Sequence, residues 1–129
     1  MPTVRFDILE GRQPAEVRKL LDAAHRAIVA AFEIPPRDRY QIVHQHPRDE
    51  FVVQDSGLNL PRSGQVVLIS ITSRPRSTEQ KMKCYVEICR QLKDTCGIEE
   101  SDVIISIVTN DDADWSFGRG HAQFLTGEL

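Results

Sequence analysis

Apolar positions along this chain recur with two different periods, and the change from one to the other marks out its elements. Val4, Phe6 and Ile8 alternate with Arg5, Asp7 and Leu9, which predicts a strand with one buried face. Gly11 ends that pattern, and Pro14 suits the first turn of a helix, where a missing N–H leaves nothing unpaired. Val17, Leu20, Leu21, Ala24, Ile28 and Phe32 then repeat at helical spacing until Pro35-Pro36, predicting an amphipathic helix from about Pro14 to Glu33. A short second strand is expected over Tyr40 to His46.

The same order of patterns returns roughly sixty residues later, the period expected of an internal duplication. Val66 to Thr72 is nearly all apolar and rich in β-branched residues, predicting a strand covered on both faces. Ser77 with Gln80 forms a capping-box signature. The helix it starts carries Met82, Tyr85, Val86, Cys89, Leu92 and Cys96 on one stripe, and Gly97 supplies a left-handed stop. Val103 to Val108 reads as a further buried strand, and Phe51 to Val53 as a short strand within a hairpin between the two units.

Strand, helix, strand is thus written twice, in halves of about 1–62 and 63–129 that make up one domain over 1–129. The expected fold is α/β in the α+β sense, a four-stranded sheet from two β-α-β units. Right-handed crossovers, the rule in about 98% of cases, would put both helices on one face. Strands this apolar predict that the other face is covered by further subunits.

Composition narrows the setting. Hydrophobic residues make up 40% and charged residues 27%, as in a globular protein, and the net charge is −3 with basic residues scattered along the chain. Neither a nucleic-acid surface nor a membrane surface is indicated, and a cytoplasmic location is the simplest expectation. The three cysteines, Cys84, Cys89 and Cys96, match neither a redox pair nor a zinc site and read as small buried hydrophobes. His44 and His46 share a strand face without an evident third ligand, so no metal is expected. Gly118-Arg119-Gly120-His121 lacks the context of a phosphate loop and reads as a turn.

The candidate chemistry begins at Met1-Pro2. Initiator methionine is normally removed before proline, and an N-terminal proline is a secondary amine able to act as base, acid or nucleophile, whereas a proline within the chain has no N–H. Burial lowers the pKa of such an amine and a nearby carboxylate raises it. Asp38 lies in a polar turn, where an aspartate can be a turn residue only; beside Pro2 it would favour the protonated amine. Arg74 and Arg76 flank Pro75 at a strand end, either solvated or leaving one face together as a fork for a carboxylate. Trp115, Phe117 and Phe124 crowd the tail, as packing, as an apolar wall, or as both.

Pro2, the run Arg37-Asp38-Arg39-Tyr40-Gln41-Ile42-Val43, Ser73-Arg74-Pro75-Arg76, and Asp114-Trp115-Ser116-Phe117-Gly118 with Gln123-Phe124-Leu125-Thr126-Gly127 together resemble the tautomerase superfamily, and within it the malonate semialdehyde decarboxylases. The resemblance implies a homotrimer of β-α-β pairs that needs no cofactor. It implies Pro2 as the catalytic amine, assisted by Asp38, Arg74 and Arg76, with Trp115, Phe117, Phe124 and Leu129 as the hydrophobic wall of the substrate site. The reaction it suggests is a lyase reaction, decarboxylation of a short 3-oxo acid such as malonate semialdehyde. Tautomerisation of a 2-oxo acid or hydration of an unsaturated acid at the same proline is the alternative, and a non-catalytic trimeric binding protein is a third reading.

Overall fold

The computed structural model describes residues 1–129. Strand β1 (Thr3–Leu9), helix α1 (Pro14–Phe32) and strand β2 (Tyr40–His46) form the first unit; β3 (Val67–Ser73), α2 (Thr78–Cys96) and β4 (Val103–Thr109) form the second. Each strand has 7 residues and each long helix 19, so the two halves match element by element. A short α3 (Gln123–Thr126), absent from the periodicity because it is less than two turns long, closes the tail. No helix is long and apolar enough to cross a membrane.

The sheet order is β2-β1-β3-β4, with β1 parallel to β2, β3 parallel to β4, and β1 antiparallel to β3. The two halves are therefore joined by β1 and β3 at the centre of a mixed sheet. Both long helices lie side by side on one face. Phe6, Ile8, Val67, Ile69 and Ile71 point toward them and meet Leu20, Ala24, Ile28, Phe32, Ile88 and Leu92 in a continuous buried core. Pro14 opens α1, Ser77 accepts from the Gln80 N–H at 3.1 Å as the N-cap of α2, and Gly97 ends α2 with φ 67°.

Two expectations need correction. The segment around Phe51 to Val53 forms no strand; it leaves a 3-10 turn at Arg48–Glu50 and runs as loop. Side chains satisfy that loop in place of a ladder: Asp55 accepts from the N–H groups of Gly57 and Asn59, and Arg62 donates to the carbonyls of Gln54 and Ser101. The stripe expected on α2 also turns away from the core: Cys84, Ile88 and Leu92, four residues apart, face the sheet and α1, while Met82 and Val86 are 61% and 65% exposed. The second face of the sheet is open in the single chain. Only the helix-facing positions of β3 are fully buried, while Leu68, Ser70 and Thr72 alternate with them and are half-buried.

On that open face Ile42, Leu68, Ile104 and Val108 share the surface with Arg5, Asp7, His44 and His46. His46 Nε2 lies 2.7 Å from Asp7 Oδ1 and its ring packs near Phe51. The histidine thus has a hydrogen-bond partner across the parallel strands. No group of three or more His, Cys, Asp or Glu side chains is arranged to hold a metal ion.

Candidate active site

Strand register brings the N-terminus to the other predicted residues. Thr3 pairs with Tyr40 on one side and with Thr72 on the other. Pro2, one residue earlier, must therefore lie between the approach to β2, which carries Asp38, and the exit from β3, which carries Arg74 and Arg76. Parallel pairing with β2 and antiparallel pairing with β3 are both needed, since either one reversed would send one group to the far end of the sheet.

The Pro2 ring is buried. The terminal amine of Met1 lies 3.7 Å from Asp38 Oδ2, an ion-pair separation. Covalent geometry keeps the Pro2 nitrogen within about 4 Å of that amine, so Met1 marks where a freed Pro2 amine would titrate. Burial holds the Met1 ammonium below its ordinary range; Asp38 pushes it back up, while Arg76 and Arg74 push it further down.

Asp38 is itself 6% exposed, and its Oδ2 has no hydrogen-bond partner. A buried carboxylate oxygen without a donor is costly, and in native proteins such atoms call for a reason. Here the nearest cation is the chain's own amine.

Both arginines are anchored through Nε, Arg76 also through one terminal nitrogen, which leaves one terminal nitrogen of Arg76 and both of Arg74 without a partner in the chain. Arg76 donates from Nε to Ser73 Oγ (3.1 Å) and from one terminal nitrogen to the Phe32 carbonyl (3.2 Å), and its guanidinium lies 4.8 Å from the centre of the Phe32 ring. Burial, with the like charge of Arg74, lowers its pKa, and Asp38 counters them. Arg74 donates from Nε to Asp112 Oδ1 at 2.7 Å and stacks 3.8 Å over Phe124. These contacts aim two planar forks while each cation is partly paid back by a ring face. Arg74, Pro75, Arg76, Asp111, Asp112, Ala113 and Leu125 line a cavity of about 670 Å³.

The aromatic tail reaches the same place. Trp115 stacks on Phe117 with ring centres 5.4 Å apart, Phe117 meets Phe124 edge to face at 5.4 Å, and Phe117 also stacks on Tyr40 at 6.1 Å. Through Phe124 this cluster touches Arg74. Leu129 is 58% exposed and is tied to the tail by its backbone N–H on the Gln123 carbonyl. Gly118, Arg119 and Gly120 all have positive φ and form the turn that returns the chain to α3.

Several participants carried no sign in the sequence of the contacts they make. Asp112, Ser73 and Phe32 hold the arginines, and Asn110 accepts from Trp115 Nε1 at 2.7 Å. Each acts only through a neighbour that is distant in sequence or lies across a turn.

Comparison with known proteins bears on the family and the fold. Two family models, both described as Tautomerase enzyme, match residues 38–118 and residues 2–61. The Bacillus subtilis (strain 168) protein named Probable tautomerase YrdN is 50% identical over 129 residues, covering 100% of both chains. A crystal structure of malonate semialdehyde decarboxylase, reported as a basis for decarboxylase and hydratase activities, is 52% identical and superposes with a TM-score of 0.97 over 98% of each chain. The FG41 malonate semialdehyde decarboxylase inhibited by 3-bromopropiolate is 38% identical, with a TM-score of 0.94 over 98% of this chain and 97% of its own. The two tautomerase family models, with 50% identity to a probable tautomerase from end to end, make this chain a member of the tautomerase superfamily.

Proposed function

We propose that the protein decarboxylates a short 3-oxo acid, with malonate semialdehyde giving acetaldehyde and carbon dioxide. The observation that carries the reading is the unpartnered, buried Asp38 oxygen facing the N-terminal amine, with two anchored arginines beside it. In this reading Met1 is removed and Pro2 works as a cation.

The substrate carboxylate binds the free ends of Arg74 and Arg76, and the C3 carbonyl accepts a hydrogen bond from protonated Pro2 or condenses with the amine to an iminium, releasing water. The bond between the carboxylate carbon and C2 then breaks and its electron pair moves into the C2–C3 bond. Carbon dioxide leaves, C2 takes up one proton, and an iminium route ends with return of the water. Asp38 keeps the amine charged, and positioning and fixed charge supply the acceleration. Trp115, Phe117, Phe124 and Leu129 supply an apolar wall beside the carboxylate, and no cofactor takes part.

A second reading keeps the site and changes the reaction to tautomerisation of a 2-oxo acid or hydration of an unsaturated acid. It is favoured by burial of the terminal amine, which promotes the neutral base that keto–enol chemistry uses. We also propose a homotrimer, in which Ile42, Leu68, Ile104 and Val108 on the open sheet face are covered by neighbouring copies.

The test follows malonate semialdehyde by proton NMR with wild type, Pro2→Ala and Arg76→Ala. Acetaldehyde formed by wild type and lost in both variants supports decarboxylation. No turnover by wild type removes it and leaves the tautomerase reading.

A further inference from the structure

No side chain holds the Asp38 carboxylate. Since its Oδ2 has no donor, its place beside the amine is set by the backbone of the turn it ends. One bond of that turn is internal, from the Asp38 N–H to the Pro35 carbonyl at 3.0 Å. Pro35 and Pro36 have no N–H of their own to add another.

The second bond comes from outside. His25 Nε2 lies 2.6 Å from the Pro36 carbonyl oxygen. A carbonyl only accepts, so Nε2 carries the proton. His25 rises from α1 between the fully buried Ala24 and the exposed Arg26, with Ala27 and Ile28 packed beneath, so the donor stands on a rigid platform. Ile34, 8% exposed, pins the start of the loop to the same core.

We infer that His25 is the positioning residue for Asp38: by clamping the Pro36 carbonyl to helix α1 it holds the unpartnered carboxylate against the terminal amine. The inference rests on the reading of Pro2 as the working amine with Asp38 as its partner. In the sequence His25 is a lone histidine on a helix, and nothing there distinguishes it. The structure gives it a function that needs only a fixed N–H, not a titrating imidazole, so glutamine, whose amide can present an N–H at similar reach, should substitute for it.

The test uses the full protein with Met1 removed and proline labelled with ¹⁵N, and follows the Pro2 nitrogen by NMR as pH is varied. His25→Leu is expected to lower the Pro2 pKa by about 1 unit, the effect of a carboxylate moved away. It should lower kcat more than it changes KM, and His25→Gln should restore most of both. A Pro2 titration in His25→Leu that overlays wild type overturns the inference. If the leucine variant does not fold, the wild-type imidazole decides: long-range ¹H–¹⁵N spectra must show the Nε2–H tautomer, and the Nδ1–H tautomer refutes it. Because the titration needs no substrate, a wild type that fails to decarboxylate sinks the proposed reaction without touching His25. A Pro2 amine insensitive to Asp38→Asn sinks the shared premise.

Discussion

Replacing Asp38 by asparagine removes one charge while keeping nearly the same shape, and its effect on the amine can be worked from the separation. For the Met1 amine, 3.7 Å from Asp38, Coulomb's law with an effective dielectric between about 80 and 20 gives about 1 to 4 kcal/mol, or roughly 1 to 3 pH units, and the same range is taken for the Pro2 amine that replaces it once Met1 is removed. The upper end belongs to a fully enclosed pair; the half-buried terminus argues for the lower half of the range. The sign follows from the Met1 amine, which burial and the two arginines push down and only Asp38 pushes up: without the carboxylate, a Pro2 amine in its place becomes less basic. The assay is ¹⁵N titration of Pro2 in wild type and Asp38→Asn. Decarboxylation should fall with the protonated fraction at neutral pH, while a base-type tautomerase activity should survive or rise. A titration within a few tenths of a unit of wild type would mean that another group governs the amine.

Asp112→Ala frees the Arg74 Nε and should raise KM about fivefold, the scale of one hydrogen bond at about 1 kcal/mol, as read in steady-state kinetics. Thermal stability should barely move, because the pair is 37% and 46% exposed and such pairs contribute about 0 to 1 kcal/mol; an unchanged KM would remove Asp112 from the site. Burial pushes the Cys84 thiol from its ordinary value of 9.0 up to about 12. Between those values the native chain keeps a proton that the unfolded chain loses, so stability falls as pH rises, by about 1.4 kcal/mol per unit. Urea unfolding at a series of pH values above about 8 should show that slope in wild type and a shallower one in Cys84→Ala, and equal slopes would refute it.

What the sequence conveyed follows from the range over which each signal acts. The capping box at Ser77, the proline at the start of α1 and the alternation of β1 are decided within a few residues, and the bounds of those elements match the pattern almost to the residue. Pro2, Asp38, Arg74 and Arg76 were legible as types, and the register of β1 with β2 and β3 explains why they converge. Asp112, Phe32 and His25 were not, because each acts through one contact across a fold that composition does not reveal. The stripe of α2 misled for a related reason: Met82, Tyr85 and Val86 are apolar at helical spacing, yet Cys84, Ile88 and Leu92 are the side chains the core buries. For Val66 to Thr72 the single chain buries only the face the helices cover, and the proposed trimer would cover the other.

Opposing charges around the amine carry one further consequence. Burial, Arg76 and Arg74 disfavour the ammonium at the Met1 amine and only Asp38 supports it; a Pro2 amine freed in its place meets the same charges, and the proposed decarboxylation needs it protonated. A substrate carboxylate seated on the two guanidinium groups cancels part of their field and adds a negative charge of its own near the nitrogen. Binding must then raise the Pro2 pKa, so the reactive protonation state is completed by the substrate that uses it. Activity that depends on the protonated amine declines as pH rises through its pKa. The alkaline limb of kcat, which reports the complex, should therefore lie at higher pH than the limb of kcat/KM, which reports the free enzyme. The separation should shrink in Arg74→Gln, where there is less field to cancel. Coincident limbs in wild type, or a kcat limb at the lower pH, would show that the arginines and the amine are not electrostatically coupled through the substrate.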